Sequence, residues 1–194
     1  MEFAVLVKAV PELDDLRVDV SRRTLDRSAA ALRLNPFDAR ALRVALERRR
    51  PGESVTVLSM GPPGAEPALR EALACGADRA ILLTDGALAG SDCLATARAL
   101  ARSLSVLRSE VVLTGARSTD SETGLVPPEV AALLRIPIAG PARALDRSDE
   151  GGFTVTADTR TGWVRVRVDP PCLVTTGEKV AKPLHPDAEK LAAA

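Results

Sequence analysis

A chain of 194 residues with 46% hydrophobic content can bury one good core and a small appendage. Its 26 Lys and Arg balance 26 Asp and Glu, which excludes the basic footprint of a nucleic-acid binder or of a protein drawn to anionic membranes. No apolar run approaches the roughly 20 residues of a membrane span, and the N-terminus lacks the basic start of a signal peptide, so the expected setting is cytoplasmic.

Phe3 to Val7 is a near-continuous apolar run, as expected for a strand covered on both faces, and Pro11 ends it. Residues 11–34 are charged and weakly patterned. They read as a long excursion from the sheet, with Leu16 to Val20 as one short alternating strand. Pro36 holds Asn35 extended, and Asp38 is placed to cap a helix running to about Arg49, with Leu42, Ala45 and Leu46 as its apolar stripe.

Val55 to Met60 reads as the second buried strand. A helix from about Glu66 to Cys75 follows, and Gly76 ends it. Ala80 to Thr84 is the third strand. Ser91 or Asp92 then caps a helix to about Leu104, with Leu94, Ala97, Leu100 and Leu104 spaced for one face. Glu110 to Thr114 is the fourth strand, and Ile136–Ile138 a short fifth.

Near residue 145 the pattern changes. Phe153 to Ala157 and Val164 to Val168 alternate at period two across a turn containing Gly162, which predicts a hairpin with one wet face. Cys172 to Thr175 forms a last short strand. The expected organisation is an α/β domain over residues 1–145, a hairpin-and-strand extension of it over 146–176, and a polar, Pro-interrupted tail over 177–194 whose order is left open.

Alternating strands and helices from residue 3 to 138 imply an open parallel sheet with helices on both faces. In such sheets ligands bind beyond the carboxyl ends of the strands, where the strand order reverses. The stretch Gly115 to Pro128 sits at that edge, between the fourth strand and the helical Glu129 to Leu134. A strand–loop–helix start aims several N–H groups at one spot with the positive end of a helix dipole behind them, a natural seat for phosphate.

Groups for side-chain catalysis are missing. The single histidine, His185, lies in the tail, and Cys75, Cys93 and Cys172 are odd in number, widely spaced and set among apolar neighbours. Neither a nucleophile–histidine pair nor a zinc cluster can be assembled from them. No glycine-rich dinucleotide fingerprint or P-loop is present. The acidic pairs Asp14–Asp15 and Asp120/Glu122 read as solvated or capping loop acids. No enzyme is expected; the residues offer a place to hold a ligand.

The assembled stretches resemble the beta subunit of electron transfer flavoprotein. The resemblance is carried by Val5 to Pro11, Leu34 to Asp38, Ser59 to Pro62, Leu69 to Ala80 and the loop from Gly115 to Glu129, and it covers roughly residues 3 to 176. It implies a flavodoxin-like or adenine nucleotide hydrolase-like sheet of order 3-2-1-4-5. It implies a heterodimer with an alpha subunit that shares FAD, a structural AMP or a second FAD in the beta subunit, and electron relay from acyl-CoA or other dehydrogenases. Carried over by position, the cofactor contacts fall on Leu6, Asn35, Pro36, Phe37, Asp38, Met60, Gly115, Ser118, Asp120, Thr123, Gly124, Leu125 and Val126, with phosphate at the amides of Thr123 to Val126. The alternative is a stand-alone nucleotide-binding paralogue, homo-oligomeric or regulatory, without electron transfer.

The chain departs from the family pattern. Lys, Asp, Gln and Gly are usual where Ala116, Glu122, Leu125 and Pro127 stand, and acidic residues where Ala39, Arg40, Arg43 and Val44 stand. Thr175–Thr176 passes directly to Gly177, so the family's dehydrogenase-docking loop and C-terminal arm are expected to be absent.

Overall fold

The computed structural model describes residues 1–12, 17–19, 24–26 and 31–193. In chain order, β1 (Glu2–Leu6) leads into two small ribbons. In one, β2 (Ala9–Pro11) pairs with β5 (Leu32–Leu34); in the other, β3 (Arg17–Asp19) pairs with β4 (Thr24–Asp26). Arg17–Asp19 lies within the expected alternating strand, whose ends Leu16 and Val20, like Asp14–Asp15, lie outside the described residues.

Helix α1 (Pro36–Arg48), β6 (Ser54–Met60), α2 (Glu66–Ala74), β7 (Arg79–Leu83), α3 (Cys93–Leu107), β8 (Val111–Gly115) and α4 (Val126–Leu134) complete the alternating part. Then come β9 (Ile138–Arg147), β10 (Phe153–Thr159), β11 (Gly162–Val168), β12 (Cys172–Thr176) and the short α5 (Ala188–Ala193).

Eight strands form one sheet in the order β11-β10-β9-β12-β8-β1-β6-β7. Every pair from β9 to β7 is parallel, and β9–β10–β11 is an antiparallel meander. The fold is therefore α/β with a mostly parallel sheet. The first four expected strands lie in the expected 3-2-1-4 order, as β7, β6, β1 and β8. The next place belongs to Cys172–Thr176, while β9, whose start is the expected Ile136–Ile138 strand, sits one place further out. Strand β9 runs through Pro141 to Arg147 because its first part pairs with β12 and its second with β10. Proline, without an N–H, sits where the β12 register shifts. The hairpin turn is Arg160–Thr161, and Gly162 already pairs with Thr159.

Successive residues of a strand face opposite sides of a sheet, and the core divides accordingly. Phe3, Val5, Val55, Val57, Val111 and Leu113 meet α1 and α2 on one face. Ala4, Leu6, Leu58, Val112 and Leu173 meet α3 and α4 on the other, through Ala97, Leu100, Leu104 and Val130. Burial of each large side chain contributes about 1.5–3 kcal/mol, so this double-sided core is the main stabilising term. Leu94, expected on the inner stripe of α3, is exposed instead. Helix α2 also fastens the β2–β5 ribbon: Glu71 accepts the Leu34 N–H (3.2 Å) and a bond from the Arg33 guanidinium (3.3 Å). Within the tail, Val180, Ala181 and Leu184 pack against the α1-side core.

At the amino edge of the sheet Arg147 is the main connector. Its side chain is 7% exposed and pairs in two-pronged fashion with Glu53, at 2.5 and 2.7 Å. The guanidinium lies 5.7 Å from the ring centres of both Phe3 and Phe153, which meet edge to face. Hydrogen bonds from Arg147 hold the Glu53 carboxyl at about 2.

Candidate functional site: a cleft at the carboxyl edge

The carboxyl ends of β1, β6 and β8 open into a cleft of about 300 Å³. Leu6, Met60 and Leu100 supply apolar wall, and Val7, Lys8 and Asn35 line the β1–α1 side. The loop after β8 contributes Gly115, Ser118, Thr123, Gly124, Leu125 and Val126. Topology explains the position: β1 has β6 on one side and β8 on the other, so this is where the strand order reverses.

Helix α4 begins without a side-chain cap, and Pro127–Pro128 in its first turn bring no N–H groups. Among the described residues, the amides of Thr123, Gly124, Leu125 and Val126 meet no acceptor, while Glu129 N–H already bonds to Leu125 O (3.2 Å). Gly124 takes φ +62°, and a Cβ there would stand 3.0 Å from the Ala116 carbonyl oxygen, so only glycine turns the loop without strain. Amides left unpaired at and just before a helix start are donors of the kind an anion can use.

Lys8 reaches from the end of β1 to this loop. Its ammonium lies 2.7 Å from one Asp120 carboxylate oxygen and 2.8 Å from the other, with the Ser118 and Ser121 hydroxyls at 3.5 Å. Burial alone would raise the Asp120 carboxyl, but bonds from Lys8 and Ser118 outweigh it and hold the group below its ordinary value.

Asp38 holds the cleft wall together. Sequence spacing suggests an N-cap, yet Asn35 occupies that position and its side chain makes no cap bond. The buried Asp38 carboxylate instead accepts the N–H of Lys8 (2.8 Å), the N–H of Gly115 (2.8 Å) and the Asn35 carboxamide N–H (2.9 Å). It thereby ties β1, β8 and α1 at the switch point. Burial pushes its carboxyl up to about 6 against the opposing effect of those three bonds.

Ten of the thirteen residues singled out from sequence line the cleft; Pro36, Phe37 and Asp120 do not. Pro36 opens α1. Phe37 lies buried beneath Gly115, with the Arg40 and Arg117 guanidiniums 5.6 and 5.0 Å from its ring centre. Asp120 stands beside Lys8 in the loop. Sequence reading missed Lys8, Arg117 and the start of α3, from Ser91 to Thr96. The signal for α3 was its cap: Asp92 accepts the Ala95 N–H (2.7 Å), and α3 packs beside α4 so that both helix starts reach the cleft. Cys93 is half-buried here, its sulfur 4.0 Å from the Thr123 hydroxyl, whereas Cys172 is fully buried, which pushes its thiol up to about 12. No His, Cys, Asp or Glu cluster among the described residues suits a metal.

Residues 23–194 match the electron transfer flavoprotein domain family. The electron transfer flavoprotein subunit beta of Thermoanaerobacterium thermosaccharolyticum is 38% identical over 187 residues, 96% of this chain and 72% of that protein. The chain belongs to the electron transfer flavoprotein family. Protein FixA of Bradyrhizobium diazoefficiens is 39% identical over 90% of this chain and 64% of its own length. The caffeyl-CoA reductase-Etf complex subunit CarD of Acetobacterium woodii is 34% identical over 95% and 71%. The first of these relatives is by name the beta subunit of an electron carrier. No helix among the described residues is long and apolar enough to cross a membrane.

Proposed function

We propose that this chain holds an adenine mononucleotide in the carboxyl-edge cleft and pairs with an alpha subunit, with which it carries FAD to relay electrons from dehydrogenases. The observation that carries the reading is the set of four amides, Thr123 to Val126, without partners at the start of α4. The cleft suits a mononucleotide in size and wall: about 300 Å³ is at the small end of ligand sites. Phosphate takes the free amides, and Leu6, Met60 and Leu100 flank the base. Lys8, already neutralised by Asp120, fixes the loop instead of adding a free charge.

FAD, where bound, supplies the exchange of electrons; that chemistry belongs to the cofactor. The residues of this chain bind, orient and exclude water. Co-expression with a candidate alpha subunit tests the reading. A yellow heterodimer that releases FAD and AMP on denaturation is the expected result. A colourless chain that forms no heterodimer contradicts it, and AMP or ATP released from the chain alone points to a stand-alone nucleotide binder.

A further inference from the structure

Helix α3 buries one stripe, Ala97, Leu100, Ala101 and Leu104, and exposes a second. The second takes one residue per turn: Leu94 (40% exposed), Arg98, Arg102 and Val106 (69%). Steps of four make these neighbours along the helix, over a length of about 18 Å at 1.5 Å per residue. No acid stands anywhere in α3, and among the described residues the Arg98 and Arg102 guanidiniums meet no partner. Elsewhere the same spacing is used for attraction: Arg43 pairs with Glu47 on α1 (3.5 Å), and Arg70 with Glu66 on α2 (2.7 Å). Two arginines at that spacing repel each other and weaken the helix that carries them. Arg108 and Arg135 directly follow α3 and α4, where a positive charge favours the helix dipole. Arg98 and Arg102, in mid-helix, gain nothing of that kind. The stripe begins at the rim of the cleft, since Leu94 follows Cys93, whose sulfur lies 4.0 Å from the Thr123 hydroxyl.

We infer that the outer stripe of α3 docks an acidic amphipathic helix of a partner protein, its carboxylates one turn apart on Arg98 and Arg102 and its apolar residues on Leu94 and Val106. Rows of side chains spaced by four seat in the grooves of a facing helix. Carboxylates there relieve the Arg–Arg repulsion, and each planar guanidinium can grip one with two bonds. A bilayer is a poorer match: one residue per turn is far narrower than the apolar face of a membrane-surface helix, and the stripe carries no aromatic residue. The docking face is independent of what the cleft holds.

Fluorescence anisotropy tests the inference with a labelled synthetic helix that carries two Glu one turn apart and a Leu one turn beyond each. The same helix with Lys for Glu is the comparison, at low ionic strength because salt screens an exposed contact. The Glu helix is expected to bind saturably and at least about tenfold more tightly than the Lys helix. Arg98→Glu is expected to weaken that binding at least about tenfold without loss of stability in urea, because an acid one turn before Arg102 turns repulsion into attraction. Arg165→Glu, the same reversal at an exposed arginine of β11 that meets no partner among the described residues, leaves the binding unchanged. No binding of the Glu helix, equal binding of the two helices, or equal loss in both variants overturns the inference. So does binding of the unaltered protein to phosphatidylserine vesicles that Arg98→Glu abolishes, which would make the face a membrane contact.

Discussion

Replacement of Arg147 by alanine is expected to lower the unfolding free energy by about 3–5 kcal/mol, the cost of orphaning one half of a buried ion pair. Three effects add up at this residue. Glu53, itself largely buried, loses both prongs of its partner. The Arg48 carbonyl loses a donor (3.0 Å), and Phe3 and Phe153 lose the planar cation that fills the space beside them. Urea unfolding measures the change. A loss below about 1 kcal/mol would place the pair with ordinary exposed ion pairs and contradict its burial. The pH dependence carries the sign. Because hydrogen bonds from Arg147 depress the Glu53 carboxyl to about 2, its contribution is present above the ordinary carboxylate range and is lost as pH falls toward 2. That part of the acid limb disappears in the variant.

Gly115→Ala is expected to cost about 2–4 kcal/mol and to abolish ligand binding in the cleft. The backbone angle at this position is not the reason. A Cβ would stand 2.5 Å from Phe37 Cβ, 2.7 Å from an Asp38 carboxylate oxygen and 2.9 Å from the Phe37 carbonyl carbon. The nearest atoms belong to the first turn of α1, which has no flexible end to swing aside. Accommodating the methyl means pushing α1 off β8, which adds overpacking strain to the loss of the Asp38–Gly115 bond. Gly162→Ala is the control: nothing lies within 4 Å of its Cβ, so stability should stay within about 0.5 kcal/mol. Chemical denaturation of both variants, with AMP titration, checks the pair. A Gly115→Ala protein as stable as the Gly162→Ala one would contradict the tight seat of α1.

The sheet centre was legible because strands buried on both faces announce themselves: Phe3 to Leu6 and Val111 to Leu113 have no polar position for solvent to claim. The place of Cys172–Thr176 was not. A short apolar run fits next to any parallel neighbour, and only the complete packing puts it between β8 and β9. The loop proposed as an anion seat was legible as a strand-to-helix connection, since a loop from a buried strand into a helix carries its chemistry in the backbone. Asp38 was misread because capping is a local expectation, three residues wide, whereas its actual partners, Lys8 and Gly115, lie 30 and 77 residues away. The start of α3 escaped because β7 is an edge strand. Its contribution depends on α3 leaning against α4, a contact between helices that no motif records.

The most direct test of the account is to follow backbone amide resonances of the isotopically labelled chain as AMP is added. The expected result is saturable shifts concentrated on Thr123, Gly124, Leu125 and Val126, the amides without partners at the start of α4. Saturable binding that leaves those four unmoved and shifts amides at the opposite edge of the sheet, or no binding at all, would contradict a phosphate seat at the carboxyl edge.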